Sequence, residues 1–305
     1  MHAMQFYIYV LNHQGAVIQD LALHLQKSLE SCGHRAYFTH RLVPGACNIL
    51  IENFGPQLVH YALELAAAGT PFIVWGTEEI TGDTFNRKVA DSHSHYGDVE
   101  HWQLRYDNFL TTAEHAAAIW VPVEALVETY AAAVPGVPVQ FFPHGYAEGF
   151  ASVVQRPEAD KDIDFYFSGA RTEHRLKLLD TLASRFSVVH HDQDLPEFVR
   201  RDYLSRARVC LSLRLSKDTR LPSVSRMHNM VMNRCFTVHE QCPLPSHLDP
   251  YVEHVPWAGI LRACEEAIAR GDRAERATAM HEKLRAELPM REIVPRILDE
   301  AFARR

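Results

Sequence analysis

Short apolar runs alternate along this chain with longer stretches of helical periodicity. Residues 6–11, FYIYVL, are continuously apolar and aromatic, as suits a strand buried on both faces of a parallel sheet. The Asn12-His13-Gln14-Gly15 turn follows. Residues 16–31 then place Val17, Leu21, Leu25 and Leu29 at helical spacing, and Cys32-Gly33 closes that helix as a glycine cap does. The pattern continues with strands at 36–39 and 47–51, a helix at 56–68 and a strand at 71–75. Such alternation predicts an α/β domain, a parallel sheet with helices on both faces.

Residues 76–101 break the rhythm. GTEEITGDTFN and DSHSHYGDVEHW are polar and carry no helical stripe, so they predict a long loop at the carboxyl edge of the sheet, where loops of this length are usually functional. Regular elements resume as a helix at 104–114, a strand at 116–121, a helix at 122–133 and a strand at 137–142. The turn Pro143-His144-Gly145-Tyr146 ends that strand, and residues 147–161 have linker composition. A boundary there gives two domains, 1–150 and 151–305. The second repeats the alternation: strand 163–167, turn 168–171, helix 172–184, strand 186–190, helix 196–206, strand 208–213. Helices are predicted at 257–270, 273–288 and 292–304.

The stretch 221–240, LPSVSRMHNMVMNRCFTVHE, carries the densest candidate chemistry. Pro222 suits a first helical position, and Ser223, Ser225, Arg226, His228 and Asn229 occupy the opening turns. Val224, Met227, Met230 and Val231 form the apolar face, and a β-rich run ends at His239-Glu240. A helix start with hydroxyls and an arginine suits a phosphate, because orphan N–H groups and the macrodipole favour an anion there. A solvated helix start in an ordinary α/β unit fits the same residues. The formal charge of -7 argues against a surface built for nucleic acid or anionic membrane. Six cysteines without C-x-x-C spacing read as free thiols of a reducing compartment. With no apolar run near the length of a membrane span and no signal-peptide pattern, the expectation is a cytoplasmic protein.

Two similar α/β halves joined by the P-H-G-Y turn resemble the GT-B glycosyltransferases, in particular the short bacterial sugar transferases related to CgeB-like proteins. The resemblance spreads over most of the chain as pattern, without one diagnostic string. It implies two Rossmann-like domains facing across a cleft, with acceptor in the first and nucleotide in the second. It also implies a strand ending in a small-residue turn with an arginine, here Phe167-Ser168-Gly169-Ala170-Arg171, and donor contacts at Ser223, Ser225, Arg226 and Asn229, with Glu240 ending the next strand. The paired glutamates that many retaining members carry around the corresponding helix are absent here, which leaves the stereochemical outcome open.

The implied reaction moves a sugar from a nucleotide-diphosphate sugar to an acceptor hydroxyl or amine, the acceptor being a small molecule or a glycan. The departing diphosphate gathers negative charge and needs a clamp, in this fold usually arginine and helix N–H groups rather than a metal. Arg226 is the first candidate. Arg171 and Arg175 follow the Ser168-Gly169 turn, and His144 stands at the domain junction. An inverting reaction also needs a general base; the candidates are His13 after the first strand, and Glu79 and Asp83, with Glu78, after the fourth. No H-E-x-x-H or C-x-x-C spacing points to a metal site. The expectation is no cofactor and no metal. A non-catalytic two-domain nucleotide- or sugar-binding protein, or a sugar-nucleotide epimerase of similar layout, stays open beside the transferase.

Overall fold

The computed structural model describes residues 3–10, 15–86, 98–192 and 195–303. They fall into two compact units, one holding residues up to Pro143 and again from Pro289 onward, the other His144–Leu288.

In the first unit the elements run β1 (Gln5–Tyr9), α1 (Gly15–Glu30), β2 (Arg35–Thr39), β3 (Cys47–Ile51), α2 (Pro56–Ala67), β4 (Phe72–Trp75), β5 (Ile80–Thr81) and β6 (Thr84–Phe85). They continue with α3 (Val99–Ala113), β7 (Ala118–Val121), α4 (Val127–Ala133) and β8 (Val139–Phe141). The sheet order is β2-β1-β3-β4-β7-β8, and every pairing in it is parallel. CNILI in β3, FIVW in β4 and AIWV in β7 are buried at every position, because a strand covered by helices on both faces has no solvent side.

Residues 76–86, after β4, carry more regular structure than their composition predicts. A two-stranded hairpin, β5 with β6, seats Phe85 against Tyr106 and Phe109. Helix α3 also starts earlier than its apolar stripe, because the Asp98 side chain accepts a hydrogen bond from the His101 N–H at 3.1 Å and caps it.

In the second unit the elements are β9 (Ile163–Ser168), α5 (Glu173–Ala183), β10 (Val188–His191), α6 (Glu197–Arg206), β11 (Ala207–Ser212), α7 (Val224–Met232) and β12 (Thr237–Glu240). They end with β13 (Glu253–Val255), α8 (Ile260–Ala269) and α9 (Arg273–Glu287). The order β10-β9-β11-β12-β13 is again parallel throughout. Phe165, Phe167, Val209, Leu211 and Val238 on the strands pack with Leu178, Leu182, Ile260 and Cys264 on α5 and α8.

The units divide at Pro143 rather than at the 150/151 boundary expected from composition. His228 Nε2 donates to Gly145 O at 2.8 Å and the Tyr146 N–H donates to Leu288 O, so residues 144–150 already belong to the second unit. The helix expected at 292–304 in the second domain is α10 (Met290–Phe302), and it belongs to the first. It buries Val294, Ile297, Leu298 and Ala301. Gln140 on β8 donates to Ile297 O at 2.9 Å, and Cys32 Sγ lies 3.6 Å from Met290 O. Periodicity reveals an amphipathic helix but not which sheet its apolar face will cover. No helix among the described residues is long and apolar enough to cross a membrane.

The turn after β4 depends on a missing side chain. A Cβ on Gly76 would lie 2.3 Å from Cε1 of Tyr130, which is buried and donates its hydroxyl hydrogen to Glu78 O at 2.9 Å. Gly76→Ala forces that ring aside. Thermal and denaturant unfolding are expected to show a loss of about 1–3 kcal/mol, the usual cost of overpacking. An unchanged midpoint would mean the turn is not packed this way.

Candidate functional site

The strand order of the second sheet reverses between β9 and β11. In open α/β sheets, ligands bind outside the carboxyl ends of the strands at such a switch point. Ser168 ends β9, and Gly169 follows with φ 155°, its N–H donating to His191 O at 2.8 Å. A Cβ on Gly169 would lie 2.9 Å from Nη2 of Arg226, 3.0 Å from Cζ of Phe167 and 3.2 Å from Nη1 of Arg175. The absence of a side chain therefore lets two guanidiniums approach the end of β9. Both also lie over the Phe167 ring, Arg175 at 5.0 Å and Arg226 at 5.2 Å from its centroid, an arrangement favoured by the ring quadrupole.

The two arginines have different employment. Arg175 is buried and its guanidinium donates to Ala170 O (2.9 Å), Arg214 O (2.9 Å) and Leu213 O (3.1 Å). It ties the turn after β9 to the exit of β11. Arg226 stands in the first turn of α7, partly exposed, beside the N-cap Ser223, whose side chain makes no capping bond. Arg171 is exposed on the same turn as Gly169.

Other expected donor contacts are drawn into the protein. Asn229 Oδ1 accepts from Asn233 Nδ2 at 2.6 Å, and Asn233 Oδ1 receives the Ser152 and Val153 N–H groups. Asn229 is thereby tied to the carboxyl end of α7. His144 is fully buried: its N–H donates to His247 Nε2 at 2.9 Å, and its own Nε2 bonds Ser225 Oγ at 3.1 Å. That bond joins it to the start of α7. Burial holds the His247 imidazole down to about 4, so it stays neutral and accepts.

Glu240 ends β12, fully buried. It accepts from His174 Nε2 at 2.8 and 3.0 Å and from the Arg214 N–H at 2.9 Å. His174, absent from the sequence-level candidates, stacks on Trp257 with centroids 3.9 Å apart.

In the first unit the order reverses between β1 and β3. His13, in the segment after β1, lies outside the described residues. The residue following β3 is Glu52, also not foreseen, and it is completely buried. Arg105 Nη2 donates to Glu52 Oε1 at 2.6 Å and to Glu78 Oε1 at 3.0 Å, while the Thr77 N–H and hydroxyl both donate to Glu52 Oε2. Asn86 Nδ2 donates to Glu78 Oε2 at 2.6 Å.

Two carboxylates thus share one guanidinium. Burial pushes Glu52 up to about 8; Arg105 opposes this and Glu78 adds to it. Burial works against the charge on Arg105, but Glu78 and Glu52 outweigh it and raise its pKa further. Of the expected carboxylates, Glu79 meets Asn86 through its backbone, its C=O accepting from the Asn86 N–H at 2.8 Å and its N–H donating to Asn86 Oδ1 at 3.2 Å, and Asp83 is exposed in the β5–β6 turn. His190 Nε2 bonds Gly169 O at 2.9 Å.

No family model matches this chain, and no curated protein matches it. Solved structures do. OtsA in its apo form aligns at a TM-score of 0.53 with 10% identity, covering 93% of this chain and 77% of that one. S. aureus TarM in complex with fondaparinux, alpha-GlcNAc-glycerol and UDP aligns at 0.53 with 9% identity, covering 84% and 55%. Accessory secretory protein 1, 2 and 3 of Streptococcus pneumoniae aligns at 0.50 with 10% identity, covering 87% and 54%. The chain spans about half the length of the last two. At these identities the likeness concerns the fold, which is that of the GT-B glycosyltransferases with their two Rossmann-like domains.

The Glu52 cluster gives stability a defined pH dependence. Its folded pKa of about 8 lies above the ordinary 4.5. The native state therefore holds an extra proton, whose stabilisation is full below about 4.5 and lost as pH rises through about 8. Glu52→Gln should flatten the fall in melting temperature across that window relative to the native protein. An identical slope in the variant would exclude Glu52 as the titrating group.

Proposed function

We propose that this protein is a glycosyltransferase that moves a hexosyl group from a nucleotide-diphosphate sugar to an acceptor hydroxyl or amine, without a metal in the transfer step. The observation that carries the reading is the seat of Arg226, held over Phe167 and against Gly169 beside the start of α7, at the carboxyl edge of the second sheet. Charge that develops on a departing diphosphate meets a guanidinium and helix N–H groups there, fixed before the reaction begins. Arg171 and the Ser223 and Ser225 hydroxyls stand on the same two turns. TarM, whose fold this chain shares, was solved with UDP and a GlcNAc-glycerol, which favours a UDP-sugar and a glycan or small alcohol among the substrates.

The acceptor side falls to the first unit. Glu78 is the half-buried carboxylate of the Glu52–Arg105–Glu78 cluster, and this reading gives it a place beside His13, Glu79 and Asp83 among candidates for receiving the acceptor's proton. Glu52, fully enclosed, would position Arg105 and through it Glu78. Six unpaired cysteines, five of them buried, are in keeping with a reducing, cytoplasmic setting.

Calorimetric titration with UDP, GDP and dTDP tests the donor assignment. One of them should bind, and Arg226→Ala should weaken it about 10- to 100-fold, the loss of one charge-assisted hydrogen bond. Gly169→Ala, which pushes on Arg226 Nη2 while leaving its charge, should weaken binding in the same direction. No binding to any of the three, with no turnover of their sugars, would overturn the reading.

A further inference from the structure

His239 and His254 are register partners on the paired parallel strands β12 and β13, so their side chains leave the sheet on the same face. Their rings lie almost parallel, at 12° with centroids 5.6 Å apart. Asp249 stands in the turn that leads into β13, with the Ser246 N–H donating to its Oδ2 at 3.0 Å. One ligand atom from each of the three lies within 4.8 Å of the others, with His254 Nε2 3.9 Å from Asp249 Oδ2.

The hydrogen-bond inventory of this cluster is unbalanced. His239 Nδ1 lies 3.2 Å from Ser212 O. A carbonyl only accepts, so Nδ1 carries the proton and Nε2 presents a lone pair. That Nε2 is buried and has no partner among the described residues, and neither has Asp249 Oδ1. A lone pair and a carboxylate oxygen are thus each enclosed without a donor, a costly arrangement unless something positive meets them. A backbone carbonyl holding the far nitrogen is also the usual outer support of a metal-bound histidine.

We propose that His239, Asp249 and His254 form a three-ligand site for a divalent transition-metal ion of the zinc type, with one coordination position left open. Two imidazoles and a carboxylate are a donor set that such ions accept. Ligand atoms on a tetrahedral zinc stand about 3.3 Å apart, so closure asks each group to move by less than about 1 Å. His254, the most exposed of the three, has room to turn. Nothing in the H-x9-D-x4-H spacing matches a metal motif, because the site is assembled by strand register. The proposal is independent of the sugar-transfer reading: an ion here would brace β13 and its leading turn against β12.

The test uses the tag-free full chain after chelation. Titration with Co2+ should give visible d–d absorption saturating near one equivalent, and Zn2+ should abolish it by displacement. Removing an outer-shell partner costs a metal site about 10- to 100-fold in affinity, so His254→Ala, which removes a direct ligand, should weaken binding by about 100-fold or more. The exposed His60→Ala should leave it unchanged. His254→Ala sits at an exposed position, and its circular dichroism should match the native chain. No saturable binding near one equivalent, or equal affinity in His254→Ala, would overturn the assignment.

Discussion

The second unit is organised by how closely side chains approach the end of β9. Gly169 leaves room where a Cβ would meet two guanidiniums and the edge of Phe167. Into that room come Arg175 and Arg226, both over the same aromatic ring. Like charges held this near one another repel, and the structure resolves the conflict by giving them different surroundings. Arg175 spends its donors on three backbone carbonyls and becomes part of the frame. Arg226 stays at the helix start, where the macrodipole adds to its positive potential. The strand-order reversal between β9 and β11 falls at the same carboxyl edge, which is why the proposed reading seats an anion there.

The first unit shows the complementary electrostatics. Its switch-point edge carries an excess of carboxylate, Glu52 and Glu78 around one Arg105, with Thr77 and Asn86 filling the remaining lone pairs. Such a cluster is poised to hold or release a proton, because burial penalises the second negative charge. On the proposed reading, the guanidiniums of the second unit are there for a departing diphosphate and the acidic cluster of the first for an acceptor's proton.

The alternation of strands and helices was legible because each central strand is a short apolar run between turn residues, as CNILI and FIVW show. Two features were not. Helix α10 reads as amphipathic, but only the Gln140 bonds and the neighbouring Cys32 reveal that it covers the first sheet. The β5–β6 hairpin is two residues per strand, below any periodicity. Among candidate residues, the positions of Arg226 at a helix start and of the Ser168-Gly169 turn after a strand could be read from the sequence. The bond from Asn233 to Asn229 could not be foreseen, because it depends on side-chain placement one helical turn away. Glu52 could have been found by asking which polar residue directly follows each buried strand. His239, Asp249 and His254 depend on register between β12 and β13, which no single stretch of sequence displays.

The most direct measurement is a crystal structure of the chain with the nucleoside diphosphate that binds it best. The account predicts density for the diphosphate at the carboxyl end of β9, with an Arg226 guanidinium nitrogen within hydrogen-bonding distance of a phosphate oxygen and Arg175 still bonded to its three carbonyls. A diphosphate seated away from α7, or an Arg226 that takes no part in holding it, would contradict the account.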